Sequence, residues 1–138
     1  MHVGESAIRT DGHAKVTGRA LYVDDVRPED CLYGATVRSP VARGRLLGIR
    51  QDPQFDWSDI TICTAADIPG ENVVALMTDD QPVLAVDELR HVTEPVALVV
   101  APTRDRALEA AGHVEVLYES LPALFDPEKS RANADHQI

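Results

Sequence analysis

A chain of 138 residues with 44% apolar composition is one domain of ordinary size, and too short for two comfortable ones. Its formal net charge of -10 excludes nucleic-acid binding through phosphates, which needs a lysine and arginine footprint to displace counterions. No apolar run approaches a membrane span, and MHVGESAIR lacks the basic and apolar regions of a secretory signal.

A soluble cytoplasmic protein with no nucleic-acid or membrane partner is therefore expected. Cys31 and Cys63 have no CxxC pairing and read as small buried side chains in a reducing compartment. The charge is uneven: residues 1–50 carry eight basic and six acidic side chains, net +2, and residues 51–138 carry five and seventeen, net -12. An acidic half can steer a partner, but a solvated surface explains it as well.

In chain order, residues 1–18 are polar and punctuated by glycine, an arm leading into the fold. RALYVDD, residues 19–25, reads as a short extended segment entering a sheet, ended in a turn by Asp24 and Asp25. In CLYGATVRSP, Tyr33, Ala35 and Val37 alternate with Gly34, Thr36 and Arg38, the period of a strand with one wet face. After the connection SPVAR, GRLLGIR reads as another strand. Residues 59–63 form a strand leading into one helical turn that Thr64 caps and PG stops. From Glu71 to Arg90 the pattern loosens, with NVVALM and PVLAV as short strands around the acidic turn TDDQP. PVALVVA, residues 95–101, is apolar enough to be buried on both faces.

Thr103 then caps a helix over about 104–113, in which Ala107, Ala110, Ala111 and Val114 recur at helical spacing and allow close approach to a sheet. HVEVLYE resumes alternation, with Val114, Val116 and Tyr118 on one face and Glu115 and Glu119 on the other. After Pro122 the apolar pattern fades. The expected organisation is an arm over 1–18, a domain over 19–126 and a polar tail or linker over 127–138.

No self-sufficient active site emerges. Lys15 lies between Gly12 and Gly18, whereas a phosphate-binding Walker loop needs lysine directly after its last glycine; no G-x-G-x-x-G joins a strand to a helix. Asp24 and Asp25 lack calcium-loop spacing and suit a turn. His91 and Glu94 have metal-ligand spacing only on a helix, which Pro95 opposes. Glu94, at the lip of an apolar strand, is a candidate acid or base, although such a residue is more often solvated or paired. His113 begins the wet face of its strand with nothing nearby to mark it as a base. Catalytic, cofactor-binding and metal residues are accordingly expected to be none.

Taken together, DGHAKVTGRALYVDD, LYGATVRSP, TAADIPG, EPVALVVAPT and HVEVLYESLPAL resemble the N-terminal α/β hammerhead domain of the molybdopterin-binding subunit of the xanthine dehydrogenase and aldehyde oxidase family, from about Gly4 to Asp126. The resemblance implies an α+β fold, mixed sheets with one main helix packed on them. It also implies a place in a molybdenum hydroxylase acting on a purine, aldehyde or N-heterocycle. Molybdopterin, iron-sulfur clusters and FAD belong to the complete enzyme and none to this chain, which alone should be inactive. Its partners would be the molybdopterin-binding region and the iron-sulfur and FAD subunits or domains; a homo-oligomer is compatible. The alternative is a stand-alone interaction module that kept the fold, and an acid-base enzyme using His91 and Glu94 is a distant third. Two positions depart from the family pattern: Thr93 stands where glycine is usual, while Glu94 keeps the polar position, and DWSDITIC replaces the usual proline-glycine-valine entry to its strand. The first touches a turn that favours glycine.

Overall fold

The computed structural model describes residues 3–4, 6–74, 77 and 79–132. The chain divides into two compact units, residues 1–31 and 32–138.

In the first unit a five-residue helix, α1 (Gly12–Val16), is followed by a tight turn in which Gly18 adopts φ +69°, a left-handed conformation that glycine takes without a Cβ clash. Gly12 is the first helical residue. RALYVDD does not enter a sheet: residues 19–22 are irregular and Val23–Asp25 form a single 3-10 turn. Asp25 takes the backbone N–H of Tyr22 at 2.9 Å, so the aspartate closes the turn locally and no strand ladder is available.

The second unit contains two three-stranded sheets, all of whose pairs are antiparallel. The strands are β1 (Tyr33–Arg38), β2 (Gly44–Gln51), β3 (Thr61–Cys63), β4 (Glu88–Leu89), β5 (Pro95–Ala101) and β6 (Val114–Ser120). They are ordered β1-β5-β3 and β4-β2-β6. Helix α2 (Arg104–Gly112) joins β5 in one sheet to β6 in the other. Thr103 caps it, accepting the N–H of Arg106 at 3.2 Å.

Its Ala107 and Ala110 are buried, and their small side chains let α2 lie against β1 and β5. Ala110 packs with Val37, Ala97, Val99 and Val114, and Ala107 with Ala35 and Ala101. On the opposite face of β5, Val96 joins Ala85 and Leu89, so this strand is buried on both sides where Val96 and Ala97 meet.

Two irregularities redirect side chains. In β5, Val96 has no opposite residue in β1, since Val37 pairs with Ala97 and Arg38 with Pro95. In β2, Leu46 faces Tyr118 and Gly48 faces Leu117, leaving Leu47 as the extra residue and Gly48 at φ +137°. Along β6 the cover fades: Val114 is buried and Val116 half-buried, whereas Tyr118 on the same face is exposed and Leu117 on the other is half-buried.

Among the described residues from Glu71 to Arg90 the one strand is β4. PVLAV is irregular, pinned by Asn72, whose side chain donates to Leu84 O at 2.7 Å and accepts Leu84 N at 3.0 Å. NVVALM lies partly outside the described residues. Beyond Pro122 a short helix, α3 (Pro127–Ala132), starts where Asp126 accepts the N–H of Glu128 at 2.9 Å.

Candidate functional site

A polar and aromatic cluster joins the end of β2 to the end of α2. Asp52 N donates to His113 O at 3.0 Å, and Asp52 Oδ2 lies 2.9 Å from His113 Nδ1. The other carboxylate oxygen accepts Gln54 N at 2.9 Å, and Asp52 O accepts Trp57 Nε1 at 2.8 Å. The His113 ring stacks on Phe55 with centroids 4.3 Å apart, and Phe55 meets Trp57 edge-on at 4.8 Å. The Arg106 guanidinium lies 4.5 Å from the Phe55 centroid and pairs with Asp59 at 3.1 Å and Glu109 at 3.2 Å.

The electrostatics are those of a fastening. The Gln54 N–H, then His113, hold the Asp52 carboxyl below its ordinary value. Asp59, then Glu109, push Arg106 above its own against the opposing effect of burial. Asp52 orients His113 as a carboxylate orients a catalytic histidine, but general-base chemistry also needs a nucleophile for the ring to deprotonate. Among the described residues no hydroxyl or thiol is hydrogen-bonded to His113, and Phe55 covers one ring face. An open cavity of about 690 Å³ borders the pair, lined by Arg50, Asp52, Gly112, His113 and Glu115, where Arg50 is already paired with Glu115.

The structure separates the other sequence candidates. Asp24 and Asp25 lie in the 3-10 turn of the first unit. His91 is exposed and its Nδ1 lies 2.9 Å from Val92 O, whereas Glu94 is buried and accepts the backbone N–H of Arg90, so their side chains do not form a ligand pair. Glu94 is thus paired to the backbone of its own turn. Thr93, beside it, takes φ +69°, the left-handed conformation that glycine would favour. Lys15 is paired with Asp11 at 2.8 Å. Cys31 and Cys63 are free, half-buried and in different units.

Among the described residues no group of three or more His, Cys, Asp or Glu side chains could hold a metal. A second cavity of about 430 Å³ is lined by Asp79, Asp80, Asp87, Glu88 and Arg90, a rim that repels anions. The Asp52–His113 contact is not legible in the sequence because the two residues are 61 apart. Only the strand ends carrying them give a signal.

Two antiparallel sheets linked through β5, α2 and β6 define a small α+β domain. Residues 17–122 match the family model described as "Aldehyde oxidase and xanthine dehydrogenase, a/b hammerhead domain", and the chain belongs to this family. Xanthine dehydrogenase 1 of Arabidopsis thaliana is 36% identical over 125 residues, 89% of this chain and 9% of the relative. A probable xanthine dehydrogenase subunit of Bacillus subtilis (strain 168) is 33% identical over 131 residues, 94% of this chain and 18% of the relative. Among solved structures, the reconstituted CO dehydrogenase from Oligotropha carboxidovorans superposes with a TM-score of 0.83 at 34% identity, covering 92% of this chain and 16% of that one. The chain therefore spans a minor part of the proteins that it resembles. No helix among the described residues is long and apolar enough to cross a membrane.

Proposed function

We propose that the chain is the hammerhead scaffold of a cytoplasmic molybdenum hydroxylase of the xanthine dehydrogenase and aldehyde oxidase type, with the reaction centre in polypeptide outside these residues. The observation that carries the reading is the fold match at a TM-score of 0.83 combined with a coverage of only 16% of the matched enzyme chain. The complete enzyme would hydroxylate a purine, an aldehyde or an N-heterocycle, using molybdopterin and passing electrons through iron-sulfur clusters to FAD.

Among the described residues, the larger cavity and the turn into α2 do not fit those groups. A four-thiolate cluster cannot be built from the two cysteines in the sequence. A pterin phosphate needs unpaired cations or a glycine-rich turn at a helix N-terminus, but PT, with no glycine, leads into α2, and the arginine lining the larger cavity is occupied by Glu115. No step of the reaction is therefore assigned to residues of this chain. Its contribution is shape: rigid sheets whose loops and edges support the neighbouring polypeptide. The domain proper would span residues 19–126, between an arm over 1–18 and a tail over 127–138.

The test is a reconstitution. The chain is assayed with a purine, an aldehyde and an N-heterocycle and an artificial electron acceptor, alone and with the molybdopterin-carrying polypeptide of the same organism. Turnover that requires both supports the reading; turnover by the chain alone overturns it.

A further inference from the structure

We propose that residues 8–26 are a docking arm whose aliphatic side chains seat in an apolar groove of the molybdopterin-carrying polypeptide; this rests on the function proposed above. The unit over residues 1–31 contains no buried side chain among its described residues. Ile8, Val16, Leu21 and Val23 are 96%, 84%, 81% and 88% exposed, and Tyr22 and Val26 are also exposed. Single exposed aliphatics are ordinary on protein surfaces, but four almost fully exposed ones within sixteen residues mark a surface that is covered in the working assembly.

The segment nonetheless has a defined shape, fixed by backbone and polar contacts alone. Arg19 N and Ala20 N both donate to Ala14 O, at 2.8 and 2.9 Å, folding the chain back at Gly18. Thr17 Oγ1 donates to His13 O at 2.6 Å, and Asp11 is paired with both Arg9 and Lys15. A segment preshaped in this way loses less conformational entropy when it binds.

Relative lengths point to the occupant. The Bacillus subtilis match covers 94% of the 138 residues, leaving about eight unmatched, so the similarity runs well into this unit, where there is no core to maintain. That relative is more than five times as long as the matched stretch, which is 18% of it, so most of its surface lies outside the hammerhead region. Over residues 8–26 Arg9, Lys15 and Arg19 balance Asp11, Asp24 and Asp25, so the arm has no net charge and its exposed aliphatic side chains are the chemistry that it offers.

The experiment compares the wild-type chain with a Leu21→Ser/Val23→Ser variant in two readouts. Capture by the tagged molybdopterin-carrying polypeptide of the same organism should weaken roughly a hundredfold, as expected for two buried aliphatic side chains lost from an interface. The melting temperature of the isolated chain should not change, because no buried contact is removed. Wild type and variant bound equally would overturn the arm while leaving the proposed function intact. A wild-type chain that does not bind at all would overturn the proposed function itself. A lowered melting temperature would show that these side chains pack within their own chain, and would also overturn the arm. Capture by a second copy of the chain, read by light scattering and abolished by the same variant, would assign the arm to self-association and contradict the proposal.

Discussion

Replacing Thr93 by glycine should stabilise the protein. A left-handed conformation costs an L-residue roughly 1–2 kcal/mol, with β-branched side chains at the upper end. Thr93 takes this conformation at φ +69°, and its side chain is exposed. What holds the residue there is backbone: Thr93 N donates to Ser39 O at 2.9 Å, and Thr93 O accepts Arg38 Nη1 at 2.9 Å. Glycine keeps both contacts and removes the strain. Against this, glycine adds about 0.5–1 kcal/mol of chain entropy to the unfolded state. The net gain is about 0.5–1 kcal/mol, a rise in melting temperature of about 2–4 °C for a domain of this size. Calorimetry or circular-dichroism melting of Thr93→Gly, Thr93→Asn and Thr93→Val measures it. Asparagine, which tolerates the left-handed region, should recover part of the gain, and valine none. A glycine variant melting below wild type would refute the reasoning, since it would mean that the threonine side chain makes a contact stronger than the strain.

Three further substitutions probe the scaffold. Ala110→Leu forces α2 away from β5 at a position with no exposed surface and should cost about 1–3 kcal/mol in urea titration, whereas leucine at exposed Glu109 should cost far less. Glu94→Ala leaves the Arg90 N–H without its acceptor and should cost about 1–3 kcal/mol, while Glu94→Gln, which retains an acceptor oxygen, should cost less. The Asp52 carboxyl is held below its ordinary value, so its contribution to stability is complete above the usual carboxylate range and is lost as pH falls through the depressed value. Melting curves between neutral and acid pH should therefore fall less steeply for Asp52→Asn than for wild type; a steeper fall would contradict this sign.

What the sequence made legible were elements whose signals are local. Thr103 and the alanines at 107 and 110 specify α2 within nine residues. The apolar run 95–101 specifies a strand, fully buried on one face at Ala97, Val99 and Ala101 and on the other at Val96 alone. Misreadings arose where a distant partner decides. RALYVDD has strand composition, yet Asp25 closes a turn on Tyr22 instead. The alternation in β6 puts Val114, Val116 and Tyr118 on one face, but how far that face is covered depends on distant residues, and Tyr118 at its far end is exposed. Asp126-Pro127 was a readable helix start, an N-cap residue followed by proline at the first helical position, within a stretch whose fading apolar pattern gives no periodicity to support it. The fastening around His113 was invisible for a third reason. Its partners come from the loop after β2 and from α2, and only folding of the two sheets brings Asp52, Phe55 and Arg106 to the same imidazole neighbourhood.

Molybdenum content decides most directly whether this polypeptide is a support for a reaction centre located elsewhere. Inductively coupled plasma mass spectrometry on the purified chain, produced in cells that make the molybdenum cofactor, should find no stoichiometric metal, and the complete enzyme purified from its source should contain it. One molybdenum retained per isolated chain would mean that these residues form a cofactor site of their own and would contradict the account.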